Sequence, residues 1–210
     1  NRTTALWAGI IGNHFVAAIG VDSSGIFEGY AENGEVDFFL VGFLTSDDAA
    51  FFVNAVDKST GTSSSWVDLD VSADVGSDPV KGVWLEMTAP AVRIASVRMN
   101  GSTDDRRSNH PGFHSWLYCG VDASKLCEQW INATDVDLYL VGYQKANTTY
   151  NTNAIDRSTG TTGSYVDVTA LPAGAIGGIY EATTSSGAKY NLRKKGSSHD
   201  RYFYLQTHQW

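Results

Sequence analysis

Apolar and polar residues alternate along most of the chain with the period of β-strands. Val67, Leu69 and Val71 are separated by residues that would face water, and 83–87 repeats this alternation. Residues 38–43 are apolar on both faces, which is typical of a central strand covered on both sides. Turn-forming Gly, Asn, Asp and Ser residues interrupt the pattern about every 8–12 residues. These features predict an all-β protein.

This strand pattern occurs twice. The matched segments are 20–22 with 120–122, 36–43 with 136–143, 55–62 with 154–161, 65–68 with 164–167, and 98–102 with 193–197. Because the matches keep their order, we predict two tandem homologous antiparallel β-sandwich modules that arose by internal duplication, at 1–112 and 113–210. Immunoglobulin-like and jelly-roll-like topologies both fit the pattern. His208-Gln209-Trp210 resembles the module start at His114, either as a third copy opening or as a closing strand.

Composition and motifs narrow the function classes. The 210 residues carry 15 Lys and Arg against 23 Asp and Glu, and this net charge of −8 argues against a nucleic-acid-binding protein. No apolar run reaches the ~20 residues of a membrane span. The chain has no nucleophile elbow, phosphate loop or zinc-ligand spacing, and His14, His114 and His208 fall at equivalent strand starts, which suggests an architectural role. We therefore expect a protein that is not an enzyme and needs no cofactor.

Two acidic pairs are the candidate metal ligands. Glu35 with Asp37, and Asp135 with Asp137, each place two carboxylates on one face of a strand, because alternate residues of a strand point the same way. Carboxylate oxygens suit calcium. The alternative is a solvated strand edge whose charges discourage pairing with other chains.

Four aromatic residues are the candidate contact surface. Trp66 aligns with Tyr165 and Trp84 with Tyr180, and the alternation places all four on the water-facing side. Rings in such positions stack on ligands such as sugars or contact a neighbouring subunit. The alternative is that they pack under a loop or against the other module.

The cysteines and sequons point to secretion. Cys119 and Cys127 align with Ile19 and Phe27 of the first repeat, so we predict that they face each other across a hairpin as a disulfide, with two buried free thiols as the alternative. The predicted N-glycosylation sites are Asn1, Asn100, Asn132 and Asn147. Asn1 in place of an initiator Met suggests that a leader was removed or that the sequence is part of a longer protein. The expected location is extracellular or on a cell or virion surface.

The charge distribution suggests how copies would associate. Residues 14–113 carry 6 basic and 15 acidic side chains, whereas 114–210 carry 8 of each, with several basic residues near the end. Such a chain suits head-to-tail association into a polymer. We therefore expect a structural subunit of an extracellular filament, surface layer or virion appendage. Strand addition through residues 6–11 or 202–205 would link subunits, unless each segment completes its own module. The alternative function is a carbohydrate-binding or adhesion module whose partners are glycans.

Overall fold

The structure is a computed structural model in which the regular secondary structure of the described residues is almost entirely β. The described residues are 18–29, 31, 40, 43–110, 113–158, 160, 163–168, 171–175, 177–183, 188–190, 192, 194–198, 203–205 and 208–209. The strands are β1 (Ala49–Asp57), β2 (Val67–Asp70), β3 (Gly82–Ala89), β4 (Arg93–Met99), β5 (Ser108–His110), β6 (Phe113–Gly120), β7 (Leu126–Ile131), β8 (Asp137–Gln144), β9 (Ala182–Thr183), β10 (Ala188–Tyr190), β11 (Phe203–Leu205) and β12 (His208–Gln209). Within the described ranges the helical structure is one short helix, α1 (Ser72–Val75), which is far too short to cross a membrane. The all-β prediction is confirmed for this part of the chain.

Strands β1–β8 form two four-stranded antiparallel sheets, which we call the two-sheet body (residues 49–144). The first sheet has the order β1-β8-β3-β6 and the second the order β2-β7-β4-β5. Strand β8 lies between β1 and β3 and contains 138–143, the second-repeat counterpart of 38–43. The central strand was predicted for 38–43 itself, of which only Leu40 and Phe43 are described; both are 86% exposed and neither lies in a strand, so the prediction fails at these two positions.

The buried faces of the two sheets form one hydrophobic core. Leu85, Leu117 and Leu140 enter it from the first sheet, and Leu69 and Ile131 enter it from the second. All five side chains are almost fully buried. Since burying a Leu or Ile side chain stabilises a fold by about 1.5–3 kcal/mol, this contact holds the sheets together.

The body mixes strands from both sequence repeats. Strand β3, which precedes the predicted boundary at 112/113, pairs with β6 and β8, which follow it. Strands β2 and β4 likewise pair with β7. The division into 1–112 and 113–210 stays a prediction about the repeats. The described sheets combine the second half of the first repeat with the first half of the second.

Short strand pairs after the body repeat its pairing register. Strand β10 pairs with β11 so that Ala188 lies opposite Leu205, and β4 pairs with β5 so that Arg93 lies opposite His110. Adding 95 to each number of the second pair gives the first pair. Strand β12 places His208 opposite Thr183, as β6 places His114 opposite Thr88 in the body.

Candidate functional site

The four aromatic residues of the predicted contact surface differ in burial. Trp84 is only 3% exposed, and its ring stacks on Phe51 at a centroid distance of 4.8 Å and an interplanar angle of 4°. The prediction that Trp84 lies on a water-facing side is therefore wrong, because β1 brings Phe51 over that face of the first sheet. Tyr165 and Tyr180 are each exposed by just over a third.

Trp66 belongs to a network of charged groups. Its indole Nε1 donates to Asp105 Oδ1 at 3.2 Å, and the Arg98 guanidinium lies 4.1 Å from the ring centroid. Arg98 also binds Glu128 through two hydrogen bonds, of 2.7 and 3.2 Å. A shallow cleft beside this network is lined partly by Glu181 from beyond the body. One face of the Trp66 ring is therefore covered by an arginine.

The two cysteines are free thiols, so the predicted disulfide is not present in the structure. Cys119 lies on β6 opposite Val83, whereas Cys127 lies on β7 opposite Leu69. The turn between them carries the chain from the first sheet to the second. The thiols therefore meet across the core rather than across a two-stranded hairpin. Both are buried, and burial together with the neighbouring thiol raises the pKa of Cys119 well above its ordinary value.

One carboxylate of the acidic pair in the second repeat binds an arginine. Arg93 Nε donates to Asp135 Oδ1 at 2.6 Å, and a second bond joins the same guanidinium to Oδ2. These bonds hold the pKa of the Asp135 carboxyl below its ordinary value. Asp137 is half-buried at the start of β8, and no group of three His, Cys, Asp or Glu side chains suited to a metal occurs among the described residues. Glu35 and Asp37 lie outside those residues.

The sequons differ in how accessible they are. Asn132 and Asn147 are exposed, and Asn132 uses Oδ1 to accept the Ile94 amide at 2.9 Å. Asn100 is half-buried, and its Nδ2 donates to Asp122 Oδ2 at 2.7 Å. Asn1 lies outside the described residues. Of the three described sequon asparagines, Asn132 and Asn147 are therefore exposed and Asn100 is not.

The histidines of the body have structural contacts. His110 is buried, with Nδ1 2.8 Å from Ser115 Oγ and Nε2 3.3 Å from the Ala95 carbonyl oxygen. His114 Nε2 lies 2.9 Å from Glu86 Oε1, between the neighbouring strands β6 and β3. Each ring therefore ties adjacent strands together. His14 and His199 lie outside the described residues.

Comparisons of the chain with protein-family models, curated proteins and solved structures find no match. Its function is therefore inferred from the chemistry of its own residues.

Exposed apolar side chains outside the body are the feature that the strand pattern did not predict. One group lies in the N-terminal exposed segment, which we define as the described residues between 18 and 44; it comprises Ile19, Val21, Ile26, Phe27, Leu40, Phe43 and Leu44. A second group lies in the C-terminal exposed segment, the described residues between 154 and 198; it comprises Ile155, Tyr165, Val166, Val168, Ile179, Tyr180 and Leu192. Comparing the burial of matched positions in the two repeats reveals both groups, but burial cannot be read from the sequence alone.

Proposed function

We propose that this protein is a secreted, glycosylated structural subunit that assembles head to tail into an extracellular filament, surface layer or virion appendage. The observation that carries this proposal is the pair of exposed apolar segments, one of which precedes the two-sheet body in the sequence and one of which follows it. Leu40 is 86% exposed and Ile179 is 52% exposed. Seven large apolar side chains are exposed in each segment, and exposed apolar surface that is concentrated in this way often marks a site that binds another molecule.

The arrangement of these segments favours a polymer over a closed pair. They differ in sequence and lie on opposite sides of the body in chain order. A contact between two different surfaces of identical chains is heterologous, and it continues from chain to chain unless the rotation closes a ring. The acidic first half and the neutral second half with its basic residues supply complementary charge for the same contact.

The secreted and glycosylated part of the proposal rests on the sequons. Asn132 and Asn147 are exposed and lie outside the described strands, so an oligosaccharide transferase could reach both. The two free thiols withdraw the support that a disulfide would have given. The location therefore depends on finding glycans at these two asparagines.

The carbohydrate-binding alternative loses two of its four stacking residues. Trp84 is covered by Phe51, and one face of Trp66 is covered by Arg98. Tyr165 and Tyr180 are left as exposed rings, and both belong to the C-terminal exposed segment. In the assembly that we propose, this segment is buried in a contact between copies, and this accounts for the exposure of both rings in the single chain.

Negative-stain electron microscopy and light scattering of the purified chain over a range of concentrations test the proposal. We expect regular fibres or sheets above a critical concentration, because burying several apolar side chains per contact drives association. A particle that keeps the monomer mass of 22.7 kDa at every concentration, with any glycan added, would contradict the proposal.

A further inference from the structure

Residues at matched positions of the two repeats differ sharply in burial. Leu40 is 86% exposed, whereas its counterpart Leu140 is fully buried in the core. Further exposed residues of the N-terminal segment with buried counterparts are Ile19 with Cys119, Val21 with Val121, Phe27 with Cys127, and Phe43 with Tyr143. The same residue positions therefore belong to a core in one repeat and face water in the other.

The C-terminal exposed segment shows the same contrast in burial, but here the exposed residues belong to the second repeat and their buried counterparts to the first. Ile179 is 52% exposed, and its first-repeat counterpart Val83 is 1% exposed. The other such pairs are Val168 with Leu69, Leu192 with Val97, and Tyr180 with Trp84. These counterparts come from β2, β3 and β4, which are strands that precede residue 112 in the body.

The two exposed segments correspond to the two halves of one body. In residues 49–144 the counterparts of the N-terminal segment pack against the counterparts of the C-terminal segment in a single core, apart from Trp84, which stacks on Phe51 outside it. In the single chain both segments expose these positions. We propose that the N-terminal exposed segment of one copy docks on the C-terminal exposed segment of a second copy, in the way that residues 118–144 dock on 49–110 within each chain. This proposal rests on the assembly proposed above and specifies its interface.

The N-terminal segment already has the local geometry of its counterpart. Asp22 Oδ1 accepts the amides of Ser24 and Ile26 at 2.8 and 2.9 Å. Asp122 Oδ1 accepts the amides of Ser124 and Leu126 at the same two distances. The turn between β6 and β7 of the body therefore exists in the first repeat before any partner binds, which lowers the entropy cost of docking.

The spacing between successive units also repeats. A Cβ on Gly20 would lie 2.6 Å from Phe51 Cβ, and a Cβ on Gly120 would lie 2.5 Å from Tyr150 Cβ. Phe51 and Tyr150 occupy matched positions of the two repeats, because the offset between the repeats is 99 residues in this region, as it is between 55–62 and 154–161. Only glycine permits this close approach at both places. The same close contact between a glycine and an aromatic residue therefore occurs in both repeats, as a polymer of equivalent units requires.

Charged residues of the interface match as well. Arg98 on β4 and Glu128 on β7 form a half-buried ion pair at 2.7 Å. Their counterparts at the proposed contact are Arg193 of one copy and Glu28 of the other. Glu28 is exposed in the single chain; Arg193 lies outside the described residues and is assigned by sequence alone. The basic end of the second repeat would then meet the acidic first repeat through a defined pair.

Charge reversal at this pair tests the proposal. Glu28→Arg and Arg193→Glu should each raise the critical concentration for assembly by about 30-fold or more, because each leaves two like charges facing each other in a half-buried site. Mixing the two variants should restore assembly as an alternating polymer, since every contact between unlike chains then pairs opposite charges. The double variant should assemble alone for the same reason. Asp47→Arg is the matched control, because it makes the same charge change at an exposed residue of the chain.

The outcomes separate the interface from the function. Normal assembly of either single variant, or failure of the mixture to assemble while the control polymerises, would overturn the proposed interface and leave the assembly function standing. A wild-type chain that stays monomeric would overturn both. Near-ultraviolet circular dichroism of the stacked Trp84 checks that residues 49–144 remain folded in every variant.

Discussion

Truncating matched leucines in the two repeats should have very different effects on stability. Leu140 lies on the central strand β8, opposite Val56 on one side and Leu85 on the other, and it has no exposed surface. Leu40 occupies the same position in the first repeat and is 86% exposed. Leu140→Ala and Leu40→Ala therefore remove the same atoms from a core and from a solvated surface.

The expected magnitudes follow from these environments. Leu140→Ala loses the transfer free energy of the side chain and leaves a cavity between two packed sheets, at a cost of about 2–5 kcal/mol. Leu40→Ala should change the unfolding free energy by no more than about 0.5 kcal/mol, as at other exposed positions. For a body of this size the first loss corresponds to a fall in melting temperature of about 8 °C or more.

Denaturant unfolding of dilute, unassembled chain measures both values, with circular dichroism as the probe. Equal losses in the two variants, or a loss below about 1 kcal/mol for Leu140→Ala, would refute the contrast between a buried and a solvated leucine. At concentrations at which the chain assembles, the Leu40 side chain should also matter. Leu40→Ala should then weaken polymerisation, because the proposed contact buries Leu40 as the body buries Leu140.

Two other predictions concern the body itself. Thiol titration in denaturant without reductant should find two groups per chain, Cys119 and Cys127, which react slowly in the native state because both lie in the core; finding none would mean that the pair is oxidised. Hydrogen bonds from the Ser59 side chain and amide hold the pKa of the Asp57 carboxyl below its ordinary value. Such a carboxylate stabilises the fold above its unfolded pKa, and this stabilisation is lost as the pH falls through the lowered folded pKa. Because Asp57 and Ser59 are exposed, the loss of this interaction in Ser59→Ala should cost no more than about 0.5 kcal/mol at pH 7 and less below pH ~3 in urea unfolding. Ser59 Oγ also accepts the Leu138 amide, so part of the loss should not depend on pH, but equal losses at both pH values would contradict this account.

Strand periodicity predicted the individual elements well. The alternation at 67–71 and 83–87 corresponds to β2 and β3, and Leu69 and Val83 point into the core as predicted. The same periodicity misplaced Trp84, because alternation assigns two faces to a strand but does not reveal that Phe51 covers the second face. The cysteines were misread for a related reason: the repeat indicates that the two positions are close, but not whether they belong to one sheet or two.

The sequence by itself determined the all-β class of the described part of the chain, where several strands lie and that its segments recur. These properties depend on local residue order, since the side-chain period and the turn residues act over a few positions. Tertiary structure alone decided which strands share a sheet, that Arg93 occupies the Asp135 carboxylate, and that the body combines halves of two repeats. Those outcomes depend on contacts between residues tens of positions apart, whose pairing is selected by burial of the whole core.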